Sequence, residues 1–260
     1  MTRLDLDLPA FWESLSLLSR VRLKLKMPTC SFVTDIDTSS AHLVDQTLVI
    51  PGGGLTIETT NFQEAYTSTT PPALQLISLK RHLNITLLPN EPEACRKFHF
   101  FSKALSKNEM PDEFEIEPIC EPGLCPCCID SAQMRIRQIP QNPLTIILAN
   151  CAAHQTSLIV SAKNSDGGLT ISHSPVNLLR QEEFLISEGD HDHIKINIRH
   201  LHALRLTEET LDGCLHQSLE VINSHGEVTC TFSAPKKIIS NSWETVLSKY
   251  NHSFQQITPS

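Results

Sequence analysis

No stretch of roughly 18 or more uncharged apolar residues occurs in the 260-residue chain, which excludes a transmembrane helix. There is no basic excess either. Twenty-one Lys and Arg stand against 29 Asp and Glu, a formal charge of −8, so nothing surplus remains to neutralise phosphates and a general nucleic-acid binder is excluded. Met1 to Ala10 lacks the basic start and apolar centre of an export signal and carries Asp5 and Asp7 instead; a cytoplasmic location is expected. Aromatics are scarce at 5%. No Ser-His-Asp pattern or dinucleotide fingerprint is present, and Gly52-Gly53-Gly54 lacks the lysine and following helix of a phosphate loop. What is present is 40% hydrophobic residues, enough to bury a core and exclude wholesale disorder. The length fits one large domain or two small ones. Nine cysteines and twelve histidines stand out. The cysteine count is odd and Cys30, Cys95, Cys151, Cys214 and Cys230 are scattered, so a reducing compartment with most cysteines as small core residues is the simpler reading.

Periodicity organises the chain. Phe11, Trp12, Leu15 and Leu18 have helical spacing, and Val21, Leu23 and Leu25 alternate with Arg22, Lys24 and Lys26 as in a strand. A glycine turn precedes the short strand Leu55-Thr56-Ile57. Leu74 to Leu88 reads as a hairpin and Glu91 to Lys107 as a helix, with Cys95, Phe98, Phe101 and Leu105 at spacings of three and four. Residues 108–143 hold six of the sixteen prolines and the cysteine cluster, and read as a linker. Beyond it, Leu144 to Leu148, Leu158 to Val160 and Leu169 to Ile171 are expected as strands, and His193 to Arg199 alternates strictly. Leu219 to Phe232 reads as a hairpin turning at Ser224-His225-Gly226, and Ser240 to Tyr250 as a closing helix.

Part of this pattern occurs twice. Leu74-Gln75-Leu76-Ile77-Ser78 aligns with Leu219-Glu220-Val221-Ile222-Asn223, and without a gap Leu83 meets Val228, Ile85 meets Cys230, Leu87 meets Phe232 and Phe98 meets Trp243. The shift is 219 − 74 = 145. Separately, Gly53-Gly54-Leu55-Thr56-Ile57 recurs as Gly167-Gly168-Leu169-Thr170-Ile171 at a shift of 167 − 53 = 114, a match short enough for chance to produce. The longer match implies an α+β protein of two related halves, each an antiparallel β-sheet with packed helices.

The second half, through Glu183-Phe184-Leu185-Ile186-Ser187, His193 to Arg199, Ser218 to Asn223, Gly226-Glu227-Val228, Trp243 and Leu247, resembles the C-terminal repeat of the HemS/ChuX haem-utilisation proteins. Trp12 to Leu18, Ala73 to Ile77 and Ile147 to Asn150 resemble other strands and helices of that family. The resemblance implies a first repeat at 1–107, the linker at 108–143, a second repeat at 144–252 and a flexible tail at 253–260. It implies haem, or a related small molecule, as ligand, in trafficking or in degradation, so both a carrier and an enzyme are open. The family places its iron-ligating histidine in the linker, where this chain has none; His99 is the nearest substitute.

As a neutral imidazole beside aromatics, His99 can ligate haem iron, or be an ordinary surface histidine. Arg199, Lys195 and His193 make a basic stripe suited to haem propionates, or to solvent. His173, with His154, sits in segments resembling pocket-lining strands, and His191 with His193 forms a spaced imidazole pair that a strand would bring to one face. The competing reading is an interaction or metal-binding module built on the cysteine cluster. Cys120, Cys125 and Cys128 have the spacing of a plant-type [2Fe–2S] loop, with Cys151 as a candidate fourth ligand. Pro126 and Cys127 break that pattern. For zinc a second separated pair is expected, and adjacent Cys127 and Cys128 rarely both bind one ion. A redox-labile vicinal pair is the third option.

Overall fold

The computed structural model describes residues 2–4, 8–69, 71–90, 95–99, 119, 121–211, 213–239 and 242–254. It divides into two compact units, Met1–Glu121 with Lys163–Thr170, and Pro122–Ala162 with Ile171–Ser260.

The first unit begins with β1 (Thr2–Leu4) and α1 (Leu8–Ser14). A 3-10 turn over Leu15–Leu18 follows, and together they bury Phe11, Trp12, Leu15 and Leu18. Strand β2 (Arg20–Lys26) buries Val21, Leu23 and Leu25 completely and exposes Lys24 and Lys26, as its alternation requires. The remaining strands are β3 (Cys30–Asp37), β4 (His42–Val44), β5 (Thr47–Ile50), β6 (Leu55–Glu58), β7 (Phe62–Thr69), β8 (Pro72–Ser78) and β9 (Asn84–Pro89). They pair antiparallel in two groups, β1-β7-β8-β9-β2-β3 and β4-β5-β6. Helical residues 95–99 (α2) bury Phe98; the rest of the expected helix Glu91 to Lys107 lies outside the described residues. β6 gains its outer partner from far along the chain, with Ile57, Thr56 and Leu55 opposite Gly167, Gly168 and Leu169.

The second unit opens with α3 (Pro126–Arg137), inside the expected linker. Leu144 to Leu148, expected as a strand, lies instead within α4 (Pro143–Ala153). Asn142 caps that helix by accepting from the Leu144 N–H at 3.0 Å, Pro143 fits its first turn, and Leu144, Ile147, Leu148 and Cys151 form one buried stripe. His154 is the C-cap of α4 and not a strand residue. The strands are β10 (Leu158–Asn164), β11 (Gly167–His173, whose first half belongs to the first unit), β12 (Asn177–Gln181), β13 (Phe184–Glu188), β14 (His193–Asn197), β15 (Ala203–Leu211), β16 (Cys214–Ile222) and β17 (Val228–Pro235). They pair as β12-β13-β14 and β15-β16-β17-β10, again antiparallel. Helices α5 (Lys236–Ile239) and α6 (Ser242–Phe254) close the unit, and α6 packs Trp243 toward α4. The tail beyond residue 254 lies outside the described residues.

The two halves contain the same eight strands in the same order, β2–β9 and β10–β17. β7-β8-β9-β2 matches β15-β16-β17-β10, and β4-β5-β6 matches β12-β13-β14. The 145-residue shift falls on true equivalents: β8 and β16 are each seventh, β9 and β17 each eighth. Leu74, Leu76, Ile85, Leu87 and Phe98 are buried, as are their counterparts Leu219, Val221, Cys230, Phe232 and Trp243. The glycine match at 114 does not mark a repeat, because β6 is fifth in its half and β11 second. These two strands are direct neighbours in the first unit, where each needs glycine for close approach. A Cβ on Gly54 would lie 1.9 Å from the Thr170 carbonyl oxygen, and one on Gly167 would lie 2.4 Å from that of Thr56.

Candidate functional site

The residues singled out for haem have different fates. His99 ends the described part of α2 with its side chain exposed. In the second unit, β14 buries Ile194 and Ile196 and leaves His193 and Lys195 half-buried on its other face. Lys195 Nζ donates to Gln181 Oε1 at 3.3 Å and sits 4.0 Å above the Phe184 ring. Arg199 is not on that strand. Asn197 accepts from the Arg199 N–H at 2.9 Å and so starts a 3-10 turn over Ile198–His200, which ends the alternation two residues early. The Arg199 guanidinium, half-exposed, lies 4.0 Å from Glu183. His173 is fully buried with both ring nitrogens engaged, Nδ1 2.5 Å from Asp192 Oδ1 and Nε2 2.8 Å from Ser187 Oγ. With both nitrogens engaged it has none left for an iron ion. Asp192 therefore turns inward, and His191 precedes β14, so the pair His191 and His193 does not share a strand face.

A cavity of about 520 Å³ lies in the second unit, lined by Asn150, Cys151, His154, Thr156, Ile238 and Trp243 among others. Burial pushes the Cys151 thiol up to about 11, against a hydrogen bond with Trp243, so it stays a neutral thiol.

The densest collection of metal-ligating side chains among the described residues is elsewhere. Cys125 is the N-cap of α3 and Pro126 its first residue, so Cys127 and Cys128 occupy the first turn. The Cys128 and Ile129 N–H groups both donate to the Cys125 carbonyl, at 2.9 and 3.0 Å. His202 arrives from 74 residues beyond Cys128, between the 3-10 turn and β15, its own N–H donating to the Ile222 carbonyl at 2.8 Å. His202 Nδ1 lies 3.3 Å from Cys128 Sγ, 3.7 Å from Cys125 Sγ and 3.8 Å from Cys127 Sγ. Cys125 and Cys127 Sγ are 2.9 Å apart. All four ligand atoms fall within 4.8 Å of one another. Cys120, part of the expected iron–sulfur spacing, lies outside the described residues. Cys127 and His202, not among the expected ligands, are both inside the cluster.

Neighbouring groups hold the cluster together. Ser224 Oγ and His225 Nε2, from the β16–β17 turn, reach the Gly123 carbonyl at 2.9 and 3.0 Å and tether the approach to Cys125. Arg135, one face of α3 with Cys128 and Ala132, is buried and donates to the carbonyls of Leu201, Cys128 and Arg199. One guanidinium thus joins the cysteine helix to the turn carrying His202. Desolvation pushes the Cys125 thiol up, but hydrogen bonds from the Cys127 and Cys128 thiols and the Cys128 N–H, with the Arg135 charge, outweigh it and hold Cys125 below its ordinary value. Cys127 is pushed up to about 11, chiefly by its hydrogen bond to Cys125, and burial raises Cys128. The three thiols are thus set apart, Cys125 the most acidic of them, and their titrations are coupled.

No family model matches the chain, and no curated protein sequence matches it. Among solved structures, the haem-degrading enzyme ChuS of Escherichia coli O157:H7 is 9% identical and superposes with a TM-score of 0.67 over 95% of this chain and 86% of its own. Apo-PhuS, a haem-binding protein from Pseudomonas aeruginosa, is 10% identical, with a TM-score of 0.66 over 95% of this chain and 86% of its own. The fold is that of ChuS and PhuS. The expected duplicated α+β architecture thus stands at an identity too low to carry residue roles across with it.

Proposed function

We propose that this chain binds haem or a closely related tetrapyrrole, for trafficking or for degradation. The single observation supporting this is the ChuS-like and PhuS-like fold, which extends over 95% of the chain and not over one repeat alone. The side chains fit the group in kind. His99 is an exposed imidazole on a helix that already buries its neighbour Phe98, so the ring is available to iron. Arg199 pairs with the Glu183 carboxylate 4.0 Å away, and Lys195 donates to the Gln181 amide oxygen above the Phe184 ring. Both cations can turn to propionates through charge-assisted bonds. His193 adds a third donor on the Lys195 face. When bound, haem supplies the iron at which oxygen chemistry occurs.

Hemin titration followed in the Soret region tests the reading. A saturable one-to-one shift is expected, weakened about tenfold or more by His99→Ala and less by Arg199→Ala. A shift that never saturates, or that ignores both substitutions, overturns it. If binding holds, product analysis with reductant and oxygen separates degradation from transport.

A further inference from the structure

We propose that Cys125, Cys127, Cys128 and His202 together bind one zinc ion in a closed four-coordinate site. This does not depend on haem binding. The case rests on donor identity, spacing and charge. Three thiols and one imidazole are the ligand set of structural zinc, and soft sulfur donors select against magnesium or calcium. A tetrahedral ion at the usual bond lengths, about 2.3 Å to sulfur and about 2.0 Å to nitrogen, holds sulfur and nitrogen ligands about 3.5 Å apart. The three His202 separations, 3.3, 3.7 and 3.8 Å, bracket that value. The Cys125–Cys127 pair at 2.9 Å is closer than two sulfurs on one zinc, and rotation of the partly exposed Cys127 side chain opens it. A two-iron cluster divides its ligands between two metal atoms, whereas these four atoms converge within 4.8 Å.

The adjacency of Cys127 and Cys128 is resolved by the helix. Cys125 is the N-cap of α3 and Cys127 and Cys128 lie in its first turn, and the three sulfurs and His202 Nδ1 all fall within 4.8 Å of one another. The charge balance agrees. Zn²⁺ with three thiolates and a neutral imidazole carries a net charge of −1. Arg135 is 6% exposed, donates to three carbonyl oxygens and to the Cys128 thiol, leaves Nε without a partner and pairs with no carboxylate among the described residues. A buried cation in that setting calls for a nearby negative charge, and an anionic zinc–thiolate centre supplies it. On binding, three thiol protons leave to solvent as three Zn–S bonds form, with no change in oxidation state. The ion would fasten the start of α3 to the turn before β15, two segments that sequence separates by over seventy residues.

Protein purified without chelator should hold one zinc per chain by elemental analysis. After metal removal, Co²⁺ should give thiolate charge-transfer and tetrahedral d–d bands that one equivalent of Zn²⁺ bleaches. Cys127→Ser and His202→Ala should each weaken Co²⁺ binding about tenfold or more, while Cys120→Ser and Cys151→Ser leave it unchanged. Circular dichroism checks the fold of each variant. Should His202→Ala unfold, His202→Cys serves instead: it keeps the metal and shifts the bands toward an all-sulfur site. Wild-type protein that is folded and reduced yet takes no Co²⁺ overturns the proposal. So do iron with acid-labile sulfide in place of zinc, bands unmoved by His202→Cys, and Co²⁺ binding that needs Cys120 but not Cys127.

Discussion

Asp192 lies 2.5 Å from the Nδ1 of a fully buried histidine, and Gly189 leaves just enough room for that contact. His173 is fully buried between Asp192 and Ser187. A Cβ on Gly189 would stand 2.5 Å from Asp192 Oδ1 and 3.2 Å from His173 Nδ1. Asp192→Ala strands a buried ring nitrogen, at a cost of about 1–3 kcal/mol. Gly189→Ala should cost a similar amount by displacing the same carboxylate. Because both act through one contact, the double variant should be less destabilised than the sum. Urea unfolding of the three variants reads this directly, and strictly additive costs would sink it. At this scale the sequence was half legible for metal chemistry. The cysteine cluster was visible from spacing, but spacing passed over Cys127, while Cys120 lies outside the described residues. Adjacent cysteines look incompatible with one ion until a helix N-terminus directs them. His202 carried no local signal, because its partnership with the cysteines is made by tertiary structure through Arg135.

Among elements, Gly52-Gly53-Gly54 offers a graded test. At Gly54 the backbone is left-handed, φ +57°, and a Cβ would fall 1.9 Å from the Thr170 carbonyl oxygen. At Gly53 a Cβ would meet the Ile36 side chain at 2.6 Å, and at Gly52 only ordinary contacts from 3.7 Å outward. Thermal melts should therefore rank Gly54→Ala as the most damaging, by about 2 kcal/mol or more, then Gly53→Ala, with Gly52→Ala within about 0.5 kcal/mol of wild type. A Gly54→Ala protein as stable as Gly52→Ala would contradict the close approach of β6 to β11. Strand alternation was readable where one face is buried, as in β2. Leu144 to Leu148 was misread because four aliphatic residues in a run of five have no period of their own. The helix-start signals beside it, Asn142 and Pro143, carried the answer.

For the whole molecule, the duplication was legible because burial constrains both copies alike, so hydrophobic positions survived where identities did not. The glycine coincidence misled because neighbouring strands can demand the same residue for the same steric reason. The division into units was not legible, since the first unit includes Lys163–Thr170 from within the second half. Asn164 donates to the His82 carbonyl at 3.0 Å and Asn61 to Asp166 at 3.2 Å, besides the β6 pairing. A fragment ending at Glu121 leaves the outer edge of β6 unpaired and should self-associate, an outcome light scattering after size exclusion detects. A stable monomeric fragment would refute it. The same interleaving sets a clock during synthesis. β6 is complete at Glu58, but its neighbour begins at Gly167. At ribosomal rates of about 5–20 residues per second, β6 emerges some 5–20 s before the strand that completes it, a delay in which its edge is open to pairing with another chain.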